Sequence, residues 1–351
     1  MRFGLNFFPT VGPNEKSGQQ FYDEALELCE RADQLGLNSI KIVEHYFRPY
    51  GGYSPDPVTF LAAVSQRTKR IRLTTGAVLP AFNHPIKLAG KLAMLDNLSH
   101  GRLEAGFARA FLPEEFDAFQ VSMDESRPRF VEGIAAVKRL WTEEDLVWEG
   151  RFYRFGPITM LPRPKQQPHP PIWIAAVSTP QSFEWAGQQG YYLMIVPYLS
   201  PHQQVAELVK LYRDTWRTAG HPPGREQIQM SFHLYLAEDG DHARREARTY
   251  MDDYVAKFVA SAEAWSGRRT DQYRGYEQLA DMLRSITYDR ILAETKAFIG
   301  SPGEVCAQLE QILEYYGEVE PSLQLTFGNR PHAAARRSLE LFAERVMPRF
   351  A

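Results

Sequence analysis

At 351 residues, 44% apolar and 24% charged, the chain has the balance of a globular protein, built as one large domain or two ordinary ones. With 40 basic and 43 acidic residues the net charge is −3 and no basic stripe stands out; nor does any apolar run approach the roughly 20 residues of a membrane span, so nucleic acid and membrane are both poor partners. Two cysteines far apart, Cys29 and Cys306, offer neither a disulfide framework nor a cysteine-based metal site and suit a reducing compartment.

From Met1 the chain reads at once as a strand over 3–8 (RFGLNFF), which leaves no room for a signal peptide and makes the cytoplasm the expected location. A helix follows, with Phe21, Ala25, Leu28, Ala32 and Leu35 at helical spacing and Gly36 placed as its C-cap. The next strand, 39–43, runs into Glu44-His45, then Tyr46, Phe47, an arginine, a proline and two glycines. Further strands are predicted over 71–79, 103–107, 172–177, 192–196, 229–236 and 323–327. LVWEGRFYRF reads as a hairpin turning at Glu149-Gly150. Ser301-Pro302-Gly303-Glu304 is a capping box opening a helix that carries Val305, Leu309, Ile312, Leu313 and Tyr316.

Eight short apolar strands alternating with helices predict a parallel sheet buried on both faces, and eight is the number that closes. The fold class is therefore α/β, a single (β/α)8 TIM barrel over 1–351. An open doubly wound sheet is the runner-up, and no G-x-G-x-x-G supports it. Two stretches exceed a barrel's needs: the hairpin, about 144–156, and the polar segment 262–296 before the last strand, which reads as a lid or a disordered insertion.

Barrel sites collect at the C-terminal strand ends, so the residues there are the candidates. His45 has the side chain best suited to proton transfer near neutrality, while a loop histidine held by a hydrogen bond explains it equally well. Gly76-Ala77 lies in TTGAVLP, where a glycine admits close backbone approach or merely relieves crowding. Arg109 follows strand 103–107, suited to a phosphate or to a structural salt bridge. Ser178-Thr179 precede a helix, as N-caps or as a phosphate loop. Together, Arg109 and Ser178-Thr179 would hold one phosphate from neighbouring loops. Tyr46, Phe47, Phe82 and Tyr198 fall in loops on the same face. No nucleophile elbow, Walker loop or H-E-x-x-H is present, and no metal site is expected.

HPIKLAGKLAMLDNLSHGRLEAGFAR resembles the bacterial luciferase-like flavin monooxygenases, as do VEHYF, TTGAVLP, MDESR, FIGSPGEV, MPRF and the lid-like TDQYRGYE. The resemblance covers essentially the whole chain, in the family's order and spacing. It implies an FMN-dependent, two-component enzyme, most simply a homodimer. Such an enzyme takes reduced FMN from a separate NAD(P)H:flavin reductase and uses O2, through a flavin hydroperoxide, on a small organic substrate. Natural-product tailoring is one such role. It also implies His45 as catalytic, with Glu44 and Glu115 assisting. Gly76-Ala77 would be a cis peptide against the flavin. Arg109, Ala176, Ser178, Thr179 and Ser182 would bind the cofactor. Tyr46, Phe82, Ala108 and Tyr198 would line the substrate pocket. Tyr46 stands where the family has a second histidine and Ala108 where luciferase has a reactive cysteine, which puts aldehyde substrates and light emission in doubt. Hydride transfer with F420 on the same barrel, or a non-catalytic flavin-binding partner subunit, remain the other readings.

Overall fold

The computed structural model describes residues 1–351. Eleven strands form in chain order: β1 (Gly4–Phe7), β2 (Ser39–Ile42), β3 (Arg72–Thr75), β4 (Leu103–Phe107), β5 (Leu146–Glu149), β6 (Arg154–Ile158), β7 (Ile172–Ala176), β8 (Tyr192–Ile195), β9 (Ile228–Leu236), β10 (Phe298–Gly300) and β11 (Glu320–Gln324). Parallel pairing runs β1–β2–β3–β4–β7–β8–β9–β11 and back to β1, so eight strands close the barrel. β5 and β6 are the expected hairpin, set outside it.

Three expectations shift. The third strand stops at Thr75, just before the cis Gly76–Ala77 peptide. The last strand lies at Glu320–Gln324, a few residues earlier than the apolar run suggests. A ninth parallel strand, β10, pairs with the far end of β9 through Phe298↔Leu234 and Gly300↔Leu236. It is only three residues long and escapes a search by periodicity.

The helices form because their ends are held. Ser17 accepts from the amide of Gln20, and Gly36 takes φ 85° to close the same helix, Gly18–Leu35. The Ser301–Glu304 capping box forms as expected, with Ser301 N–H donating to Glu304 at 2.7 Å. Leu5, Phe7, Ile40, Ile42 and Leu73 from the strands pack with Phe21, Leu28, Leu61 and Leu92 from the helices in one continuous core.

The strands are buried on both faces, as expected, but the inner face is polar where the apolar runs suggested otherwise. Side chains alternate along a strand, so β2 sends Ile40 and Ile42 to the helices and Ser39 and Lys41 inward. Inside, Ser39 and Gln229 bind Glu320, Thr74 binds Glu104, and Lys41 on β2 reaches Ser231 on β9 at 3.1 Å. These groups are buried and bonded to one another, which lets much of a polar interior be tolerated, although Lys41 keeps spare donors and Gln229 Oε1 has no partner.

The segment 262–296 is an ordered cover and not a polar loop. It folds into short helical turns, among them Leu279–Arg284 and Tyr288–Ala293, and buries Trp265, Tyr273, Leu279, Leu283 and Ile291 in an apolar cluster shared with the barrel mouth and the helix Gly240–Ala262. Arg268 and Thr270 tie it to Asp117 and Asp124 beside the barrel mouth.

Candidate active site

The barrel mouth and this cover enclose a cavity of about 230 Å³, whereas the next two enclosed pockets hold about 10 Å³ each. Its floor is polar, made by Asn6, Lys41, Ser231 and Gln324 from inside the barrel. Gly76, Ala77 and Leu79 form one wall; Ala108, Arg109 and Phe111 form the next, and Ala175, Ala176, Thr179 and Ser182 a third. Phe8, Tyr50, Tyr198 and Phe258 supply aromatic surface, and Gln272, Tyr273 and Tyr276 close the top.

The Gly76–Ala77 wall is flat because nothing larger fits. A Cβ on Gly76 would stand 2.0 Å from Lys41 Cγ. The Gly76 amide is fixed by donation to the Ile42 carbonyl at 2.8 Å.

His45 leaves β2 just beyond its end. Its amide donates to the Ser54 carbonyl at 3.1 Å, and Gly51, at φ 86°, lets the returning loop pass against the imidazole. The His45 Nδ1 lies 3.0 Å from Glu115 Oε1, so Nε2 is the nitrogen available to a ligand. Glu115, 1% exposed, also accepts from the Tyr46 amide at 3.0 Å, and its Oε2 has no partner.

Glu44 shares the cavity. Tyr46 donates its hydroxyl to Oε1 at 2.7 Å, Asn83 donates to the same oxygen at 3.1 Å, and the Leu79 amide donates to Oε2 at 3.0 Å. Burial pushes its carboxyl from the usual 4.5 up to about 7, with those donors pulling the other way.

Arg109 faces no carboxylate. One nitrogen, Nη2, donates to Ser126 Oγ at 3.1 Å and to the Gln272 carbonyl at 2.9 Å, the guanidinium lies 4.6 Å over the Tyr273 ring, and the buried Nε has no partner. A second guanidinium, Arg127, stands close enough that Arg109, after burial, lowers its pKa. Thr179 is the N-cap of the helix Pro180–Gln189 yet makes no capping bond, which leaves its hydroxyl and the helix terminus for an anion. An unpartnered guanidinium nitrogen, a free hydroxyl and a flat apolar wall in one cavity fit a planar ring carrying a phosphate. FMN is such a group.

The cavity thus brings together Glu44, His45, Gly76, Ala77, Ala108, Arg109, Ala176, Thr179, Ser182 and Tyr198. Glu115 stands behind His45 as its hydrogen-bond partner. Three further sequence candidates lie outside it. Ser178 does not line it. Tyr46 turns its ring onto Phe119 at 4.9 Å, bracing Glu44 and Glu115 instead of touching a ligand. Phe82 stacks on Phe119 at 4.6 Å in the same outer cluster. The floor residues and Tyr50 and Phe258 were not among the candidates; the alternation S-I-K-I in β2 was the one signal available for the floor.

A family model described as luciferase-like monooxygenase matches residues 1–318. The oxygenase component of the flavin-dependent trigonelline monooxygenase of Acinetobacter baylyi is 34% identical over 272 residues, 76% of this chain and 74% of that protein. Monooxygenase RslO1 from Streptomyces bottropensis, a crystal structure, is 51% identical, covers 100% of both chains and superposes with a TM-score of 0.89. The oxygenating constituent of 3,6-diketocamphane monooxygenase from Pseudomonas putida, a type II Baeyer–Villiger enzyme in complex with FMN, has the same fold at 22% identity, with a TM-score of 0.82 over 99% of this chain and 98% of that one.

Proposed function

The chain belongs to the luciferase-like monooxygenase family, and on that premise we propose that it is the oxygenase of a two-component system. It takes up reduced FMN made by a separate NAD(P)H:flavin reductase and, with O2, oxygenates a small organic substrate. Bound reduced flavin would supply the activation of oxygen, and the chain's own residues do the rest. The observation that carries the reading is Arg109: half-buried, without a carboxylate, with a buried Nε–H that has no partner, lining one cavity with Thr179, whose side chain makes no capping bond.

Arg109, Thr179 and Ser182 hold the phosphate, and Gly76–Ala77 supports the ring. His45 Nε2 holds or delivers a proton, with the imidazole oriented through Nδ1 by Glu115. Glu44, titrating near neutral pH, exchanges protons in the same cavity. The segment 262–296 keeps water out, its Tyr273 and Gln272 closing directly onto Arg109. The aromatic walls from Phe8, Tyr50, Phe111 and Phe258 suit a planar, largely apolar substrate.

Photoreduced FMN, labelled dioxygen and a panel of aromatic ketones and phenols test this reading. A product carrying one labelled oxygen, lost with His45→Ala, is expected. Products that differ from substrate only by two hydrogens, formed with F420 and not with FMN, would overturn it.

A further inference from the structure

The cavity floor holds a charge that the roles above leave unused. Lys41 projects inward from β2, is 3% exposed, and has one protein hydrogen bond, from Nζ to Ser231 Oγ at 3.1 Å across the barrel. An ammonium has three donors, so two remain. No carboxylate pairs with it: the buried Glu320 acts only through its field, and its own hydrogen bonds come from Ser39, Asn38 and Gln229. Burial lowers the Lys41 pKa to about 8, which leaves the group mainly charged at neutrality. A buried cation with spare donors is costly unless something completes its shell.

The surroundings say what fits. The methylenes of Lys41 run directly under the flat wall, since a Cβ on Gly76 would meet Cγ at 2.0 Å and Cδ at 2.6 Å. On the neighbouring strand, in register with Lys41, Asn6 lines the same cavity and its buried Oδ1 has no partner. The floor therefore offers N–H donors and one spare carbonyl acceptor, while the walls above are apolar and aromatic. A ring laid on Gly76–Ala77 with one polar and one apolar edge would turn the polar edge down. The pyrimidine edge of a flavin has two carbonyls, which want donors, and one N–H, which wants an acceptor. On reduction that edge also carries delocalised negative charge.

Resting on the FMN reading above, we propose that Lys41, with Ser231 and Asn6, forms an anion-stabilising floor that binds the reduced flavin more tightly than the oxidised one. The preference would let the protein capture the reduced cofactor from its reductase and release the oxidised form after turnover. An enolate or phenolate oxygen of a substrate shares this chemistry; the stem's contact with the ring wall favours the flavin.

The test is anaerobic titration of apoprotein with reduced and with oxidised FMN, for wild type, Lys41→Met and Lys41→Arg, each first shown to melt cooperatively. Loss of a charge-assisted hydrogen bond predicts that K41M weakens reduced FMN about ten- to a hundredfold while oxidised FMN changes less than about threefold. The midpoint potential of the bound flavin falls accordingly, and K41R restores part of the preference. Equal weakening of both forms would mark Lys41 as structural and overturn the assignment. So would an unchanged ratio with a raised KM for substrate, which would move the anion to the substrate. A wild type that binds neither form overturns the FMN reading and this assignment with it.

Discussion

Replacing Glu44 by Gln isolates what burial does to a carboxyl in this cavity. The group is 2% exposed and its value is raised from 4.5 to about 7, chiefly by burial. A carboxyl raised in the folded state contributes stability that is full below about 4.5 and lost as pH climbs through about 7. The separation corresponds to about 3 kcal/mol. Gln carries no charge to desolvate, so the variant lacks this dependence. It does lose an acceptor: Tyr46 and Asn83 donate to one oxygen and the Leu79 amide to the other, and an amide can serve only one side. That deficit, about 1–3 kcal/mol, is present at every pH. Urea unfolding at intervals from pH 4.5 to 8.5 should therefore show E44Q less stable at low pH, with the difference moving by about 3 kcal/mol in the variant's favour toward high pH, so that the gap closes or reverses. Glu320, also held near 7 by burial, titrates in both proteins and cancels. Parallel stability curves would refute the reasoning.

Arg109→Met should weaken FMN by about 1.5–3 kcal/mol in equilibrium dialysis while riboflavin, which lacks the phosphate, is unaffected; equal loss of both would contradict a phosphate role. Gly76→Ala places a methyl 2.0 Å from Lys41 Cγ and should cost about 1–3 kcal/mol of stability along with flavin affinity, so an unchanged melting temperature would count against the packed wall. Trp265→Ala removes a fully buried ring from the cover and should cost about 3–5 kcal/mol there. Trypsin should then cut faster at Arg268 and Arg269, with the barrel intact, and unaltered cleavage would show that the cover does not depend on this ring.

Much of the barrel was legible because its helices obey local rules: spaced apolar residues, a glycine at the end of the first, a capping box before the last strand. His45, Arg109 and Thr179 were legible because strand ends in a barrel all point to one face. The partner of His45, Glu115, was reached only through the family resemblance, since it lies 70 residues away and only tertiary packing brings it to the imidazole. Tyr46 and Phe82 misled because an aromatic at a strand end reads the same whether it faces a cavity or a neighbouring ring; here Phe119 captures both. The polar floor was hidden by alternation. Ile40 and Ile42 dominate the reading of β2, and Lys41 between them looks like a surface residue until the barrel closes around it. In 262–296, frequent Arg, Asp and Gly mask Trp265, Tyr273 and Leu283, which do the packing.

Which reduced cofactor the apoprotein binds separates flavin monooxygenation from deazaflavin hydride transfer most directly. Anaerobic titration of wild type with reduced FMN and, separately, with reduced F420, followed by flavin fluorescence and ultrafiltration, decides it. Saturable one-to-one binding of reduced FMN, lost in Arg109→Met, with no binding of F420, is the predicted result. Tight F420 binding with none of FMN would contradict it.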